Sequence, residues 1–164
     1  MRIMGIDHGT SSGICIMEDG NIIYRERLEL KEIGNRRLCE FKDRVAKLMS
    51  IYEPNVIALE KPAHLRNAEI LRYLIGLYSM ALEEATRRDI EIVCVVPTTM
   101  KKYIAGNGRA DKEDMAKAIQ RIFNEDYREY IYYKKDKNKV KEIKYDVVDA
   151  ISLAFYVYKY TKWW

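Results

Sequence analysis

The first thirteen residues, MRIMGIDHGTSSG, limit the folds open to this chain. An apolar run, Ile3-Met4-Gly5-Ile6, delivers a single carboxylate, Asp7, and stops in a cluster of small residues. A short apolar run ending in Gly and Ser reads as a buried strand reaching a sheet edge. A second run, Gly13-Ile14-Cys15-Ile16-Met17, starts at once and leads into Glu18-Asp19-Gly20-Asn21, a strong hairpin turn. A third stretch, Asn21 to Leu30, alternates roughly, with Tyr24, Leu28 and Leu30 on one face and Arg25, Arg27 and Glu29 on the other. That is the pattern of a half-solvated strand pairing back through the turn. Asp7 then sits on a first, central strand beside a tight return, a place to hold a metal ion or a phosphate.

Gly34-Asn35 opens a helix whose stripe Leu38, Phe41, Val45, Leu48, Tyr52 repeats at three and four residues and ends at Glu53-Pro54-Asn55. Val56-Ile57-Ala58-Leu59-Glu60 then repeats the opening pattern, a short apolar run ending in a carboxylate. Two such strands separated by a helix fit a parallel crossover. A second helix is expected over Asn67–Arg88. Its apolar residues cover more than one stripe, so it is either deeply buried or faces a partner subunit. Ile92 to Val96 reads as another buried strand. A short helix with Lys101, Lys102 and Tyr103 follows, then Gly106-Asn107-Gly108, then a helix over Asp111–Phe123. The Gly-Asn-Gly segment suits either a plain turn or a backbone phosphate contact. Asn124 to Lys144 is expected to be a mostly irregular arm, and Tyr145–Tyr160 an amphipathic helix. Strands followed by strand–helix alternation, with no repeat or linker, argue for one three-layer α/β domain over residues 1–164.

Apolar residues make up 48% of the 164, enough for a real core. No run of eighteen uncharged apolar residues offers a membrane span, and no secretion signal is recognisable at the start. Cys15, Cys39 and Cys94 are far apart and odd in number, which suits small buried thiols in a reducing cytoplasm. The net charge is +4, and Tyr127 to Lys144 carries that much by itself, so the basic character is local. A local basic face is a sign of a polyanionic partner.

Asp146 and Asp149, in KYDVVDAISLA, share a helix face at i and i+3, while Val147, Val148, Ile151 and Ala154 cover the buried side. With Asp7 and Glu60 they make four carboxylates, two from strand ends and two from one helix. Acids gathered this way repel one another unless cations neutralise them, and hard ions such as Mg²⁺ or Mn²⁺ suit oxygen ligands. Two such ions can activate a water and stabilise the leaving oxygen in phosphodiester hydrolysis.

The ordered set GIDHGTSSG, ALEKP, KKYIAGNGRADK and YDVVDA resembles the RuvC family of Holliday-junction resolvases, within the RNase H-like nuclease fold. The resemblance implies a mixed five-stranded sheet with helices on both faces. It implies that Asp7, Glu60, Asp146 and Asp149 are catalytic acids holding two Mg²⁺ or Mn²⁺ ions, with Lys101 and Lys112 near the scissile phosphate. It further implies a four-way DNA junction as substrate and a homodimer formed through the helix over 67–88. Lys61, His64, Arg66, Lys102, Arg109, Lys134, Lys135 and Lys137 are the expected DNA contacts. The chain departs from bacterial members at His8, where Pro is usual, and in the loop after Glu60, which lacks their wedging Phe. The segment between Lys112 and Asp146 is also longer, and its interleaved Tyr and Lys suit phosphate and unpaired bases. Two alternatives remain: a nuclease of ribosomal RNA precursors of the YqgF type, and a sugar-kinase-like nucleotide-binding domain. No P-loop spacing is present.

Overall fold

The computed structural model describes residues 1–9, 11–61, 67–126, 131–136 and 139–161, with 132–136, 139–142 and 161 given by their backbone. Three strands open the chain: β1 (Arg2–Asp7), β2 (Ser11–Glu18) and β3 (Asn21–Glu29). They pair antiparallel in sequence. The β2–β3 reversal uses the Asp19-Gly20 pair, both at positive φ, 50° and 90°, the combination a two-residue hairpin of right-handed twist requires. After α1 (Arg36–Tyr52), β4 (Val56–Glu60) returns parallel to β1. After α2 (Ala68–Thr86), β5 (Glu91–Val95) returns parallel to β4. The sheet order is β3-β2-β1-β4-β5, so the strand that ends in Asp7 is central and the expected mixed five-stranded sheet is present.

The period-two alternation of the strands divides the core in two. Met4, Ile6, Ile14, Ile16, Ile57 and Leu59 face Phe41, Val45 and Leu48 of α1 and Leu77, Ala81 and Ala85 of α2. Ile3, Cys15, Met17, Val56, Ala58 and Val95 face Val147, Val148, Ile151 and Ala154 of α5 (Asp146–Thr161). The latter side also receives Met100 of α3 (Pro97–Ala105) and Met115 and Ile119 of α4 (Lys112–Phe123).

Helix α5 lies against β1 and β2 with almost no space between the backbones. A Cβ built on Gly5 would stand 2.2 Å from the Ala150 carbonyl oxygen, and one on Gly13 only 1.7 Å from that of Asp146. Glycine at these two places, with Ala150 and Ala154 opposite, sets how close the helix comes to the sheet.

Three expectations need correction. The segment before α5 is not an irregular arm: β6 (Tyr132–Asp136) and β7 (Lys139–Lys144) form an antiparallel two-stranded sheet with a register shift at Lys134/Lys135. Its strands carry no apolar alternation, since backbone pairing alone defines them. Cys15 is buried as expected, but Cys39 and Cys94 are exposed. Cys94 lies on β5, at the border of the sheet, where its Sγ is 2.9 Å from the Tyr78 hydroxyl. Helix α2 ends at Thr86, short of Arg88, and its start is capped by the Asn67 carboxamide, which accepts from the backbone N–H of Glu69 and Ile70. The chain buries only part of this helix, and Ile70 and Ile75 remain 47% and 45% exposed. Gly106-Asn107-Gly108 is a turn in which Asn107 accepts from the backbone N–H of Arg109. Among the described residues no helix is long and apolar enough to cross a membrane.

Candidate active site

Asp7 ends β1 and Glu60 ends β4, and the parallel register Ile6↔Leu59 brings these two ends abreast. Asp146 is the first residue of α5 and Asp149 lies one turn on, where the positive end of the helix dipole favours acids. The Gly13 contact seats that first turn on the sheet, directly above the β1–β2 pair. Lys112 begins α4, whose start is fixed by a reciprocal cap between Asp111 and Asp114. Its ammonium donates to Asp149 Oδ2 at 2.8 Å.

The charges of this cluster act on one another. Burial pushes the Asp7 carboxyl well above the usual carboxylate range. Asp149, Glu60 and Asp146 push it further, and Lys112 opposes them. Glu60 is raised by burial and by Asp149, with Lys112 and Lys101 pulling it back. Asp149 is raised by burial although Lys112 is bonded to it. Burial works against the Lys112 ammonium, yet Asp149, Asp7 and Asp146 together hold its pKa above the ordinary lysine value. The structure thus brings together the four expected acids and the two expected lysines.

Asp146 is 8% exposed. Its Oδ2 accepts from the Ser11 hydroxyl at 2.6 Å and from Arg27 Nε at 3.1 Å. These two residues were not foreseen from the sequence. Arg27 reads there as part of a solvated strand face, but that face of β3 turns toward α5, and the Arg27 side chain is only 15% exposed. The register shift at Ile16/Met17 pairs Arg27 with Gly13, where an unbroken hairpin would pair Glu26. Asp7 also pairs with Gly13, so Asp7, Gly13 and Arg27 form one row across three strands.

Other expected residues lie around this centre. Lys61 and Lys102 are exposed, on the residue after β4 and on α3, and Arg109 is exposed in the α3–α4 turn. Lys134 and Lys135 are on β6, at its register shift. His64, Arg66 and Lys137 lie outside the described residues. His8 follows Asp7 and packs its ring on Tyr78 of α2, centroids 5.5 Å apart.

A donor set made only of carboxylates, three of them raised by burial and mutual repulsion, suits a hard divalent ion by its chemistry. Asp7 and Glu60 accept no hydrogen bond from a described residue, which leaves their oxygens to such an ion. Among the described residues no three of these acids stand at the mutual spacing of one ion's ligands. Asp146 and Asp149 are instead engaged by Ser11, Arg27 and Lys112.

A family model described as crossover junction endodeoxyribonuclease RuvC matches residues 3–130. A relative of that name from Mycobacterium sp. (strain KMS) is 32% identical over 130 residues, covering 74% of this chain and 70% of its own. The structure of Thermus thermophilus RuvC in complex with a Holliday junction substrate superposes with a TM-score of 0.77 at 20% identity, covering 99% of this chain and 96% of that one. The fowlpox virus resolvase, in complex with Holliday junction DNA, superposes at 0.54 and 18% identity over 98% and 99% of the two chains.

Proposed function

This chain belongs to the RuvC family of crossover junction endodeoxyribonucleases, and from that premise we propose that residues 1–164 form one nuclease domain that resolves four-way DNA junctions by phosphodiester hydrolysis. One juxtaposition carries the reading: the first turn of α5 brings Asp146 and Asp149 over the strand ends that bear Asp7 and Glu60. The RNA-precursor and sugar-kinase readings are not favoured by the family match.

Asp7, Glu60, Asp146 and Asp149 would hold the ions, two Mg²⁺ or Mn²⁺, which when bound supply activation of the attacking water and charge neutralisation at the leaving oxygen. Lys112, bonded to Asp149, and Lys101, whose charge reaches Glu60 and Asp149, set two ammonium groups against the same acids. On a bound junction they hold the scissile phosphate and neutralise the charge that develops there. Lys61, Lys102 and Arg109 offer phosphate contacts beside the site, and Lys134 and Lys135 extend them onto the β6–β7 hairpin; His64, Arg66 and Lys137 complete the set. A second copy covers the exposed Ile70 and Ile75 of α2, and the homodimer then carries two sites for two symmetric nicks. The protein acts on DNA in the cytoplasm.

Incubation of the full chain with a synthetic mobile junction and Mg²⁺, with nicks mapped on all four arms, tests this. Symmetric paired nicks with 5′-phosphate and 3′-hydroxyl ends are expected. An untouched junction together with cleaved structured RNA overturns the reading. Lys101→Ala is expected to slow cleavage about 100-fold, the cost of removing one transition-state charge contact, with nearly unchanged junction affinity in Ca²⁺. Equal loss of binding and rate would make Lys101 a register contact on the backbone.

A further inference from the structure

The row of paired residues beneath α5 gives Asp146 a setting that the other acids lack. Asp7 pairs with Gly13 and Gly13 with Arg27, so an acid and a guanidinium flank a position with no side chain. The Asp146 backbone carbonyl fills the space above that position. Asp146 therefore stands over the middle of the row. The Ser11 hydroxyl and Arg27 Nε both donate to the same oxygen, Oδ2, at 2.6 and 3.1 Å. Oδ1 receives no hydrogen bond from a described residue. Ser11 is 8% exposed and belongs to β2, directly before the strand's close contact with the helix. The far side of the Arg27 guanidinium, Nη1, lies 3.4 Å from Glu29 Oε2, which restrains the group from its other end. A doubly held, buried oxygen differs from a solvated surface ion pair, whose partners move freely.

We infer that Ser11 and Arg27 are positioning residues for Asp146. They occupy one carboxylate oxygen, fix the side chain on the first turn of α5, and leave Oδ1 as the oxygen that Asp146 would offer a divalent ion. This rests on the nuclease reading, in which Asp146 is a metal ligand. Such partners orient a ligand before the ion arrives, and their loss typically costs about 10–100-fold in metal affinity or activity. The two donors act differently. Ser11 is neutral, so its removal changes orientation alone. Arg27 also carries charge, so its removal loses the orientation of the carboxylate but relieves repulsion of the incoming ion, two effects of opposite sign on affinity.

Ser11→Ala is therefore the cleaner probe, with Ser11→Thr, which keeps the hydroxyl, as its rescue and Arg27→Gln as the second variant. Mn²⁺ binding is measured by calorimetry on the full chain without DNA, in wild-type and Asp146→Asn backgrounds. Cleavage rate and junction affinity are measured alongside. Ser11→Ala is expected to weaken Mn²⁺ binding and slow cleavage about tenfold each, with junction affinity in Ca²⁺ unchanged. Ser11→Thr restores both, and the Ser11→Ala effect on Mn²⁺ disappears when residue 146 is already Asn. Arg27→Gln slows cleavage at saturating Mn²⁺ without loss of junction binding. A folded Ser11→Ala protein with wild-type Mn²⁺ affinity and rate overturns the inference, as does an effect that persists beside Asp146→Asn. A wild-type protein that takes up no Mn²⁺ and leaves the junction intact sinks the nuclease reading as well; wild-type activity with indifferent variants sinks only the positioning role.

Discussion

Asp7→Asn abolishes nicking of a four-way junction and, in the presence of a chelator, melts at a higher temperature than wild type. Both outcomes come from one property of the site. Asp7 is the acid at the centre of the cluster, at the end of the central strand, and it is buried and opposed by three other carboxylates. The asparagine keeps the shape but removes the charge that an ion needs, and the rate falls well beyond the ~100-fold typical for a partner of a metal ligand. The same removal relieves repulsion in the metal-free fold. A carboxyl whose folded pKa lies above its unfolded value of about 3.9 binds more protons folded than unfolded in the interval between the two. Wild-type protein in chelator therefore gains stability as pH falls from neutral through the raised Asp7 value, and loses it as pH rises again. Asp7→Asn makes that dependence shallower, and the raised Glu60 and Asp149 carry what remains. Divalent ions reverse the order: at 100 times its dissociation constant, an ion adds about 2.7 kcal/mol to the wild type, roughly 5–10 °C for a chain of this size. The variant gains far less. Thermal melts of both proteins across pH, with chelator and with Mg²⁺, check all of this. An Asp7→Asn protein that melts below wild type in chelator would show that the acids are not in mutual repulsion.

The acids were legible in the sequence because each closes a pattern that physics makes conspicuous. Asp7 and Glu60 each stop a run of buried residues, and a parallel crossover between such runs sets their ends side by side. Asp146 and Asp149 share one helix face, and the opposite face is apolar, so the orientation of α5 follows from burial. What supports those acids was not legible. Arg27 sits where a plain alternation assigns it to solvent, and only the one-residue shift at Ile16/Met17 brings it opposite Gly13. A bulge has no strong local signature in a run of Ile, Cys and Met, since its cause is the fit of the sheet. The β6–β7 pair is illegible for a related reason. Its strands, YYKKD and KVKEIK, pair through their backbones without an apolar face, so period-two hydrophobicity does not announce them. Glycine is a third case. Gly5 reads as part of the first apolar run and Gly13 as the start of the second, and both do lie in strands, but neither pattern announces that their role is to admit a helix.

That role makes Gly13→Ala the substitution with the largest expected effect outside the acids. The added methyl would stand 1.7 Å from the Asp146 carbonyl oxygen, 2.3 Å from its carbon and 2.9 Å from the Val147 nitrogen. All three are backbone atoms, so no rotamer change relieves the contact. The N-terminal turn of α5 must lift away from β2, and the packing of Val147 and Val148 against the sheet loosens with it. Overpacking of this kind costs about 3 kcal/mol or more when backbone must move, which lowers the melting temperature by roughly 10 °C. The larger consequence is chemical. Lifting that turn carries Asp146 away from Ser11 and Arg27, and moves Asp149 relative to Asp7 and Glu60. A displacement of about 1 Å in a catalytic constellation can cost 10²-fold in rate. Gly34→Ala is the control without a clash: Gly34, unlike Gly13, has a positive φ, 56°, but nothing lies within 4 Å of its added methyl. It should lose about 1–2 kcal/mol from left-handed backbone strain and nick at the wild-type rate. Melting temperature and single-turnover nicking, measured at a temperature where both variants are fully folded, separate the stability loss from the loss of geometry. A Gly13→Ala protein that nicks as fast as Gly34→Ala there would mean that the seat of α5 on β2 does not set the position of its two aspartates.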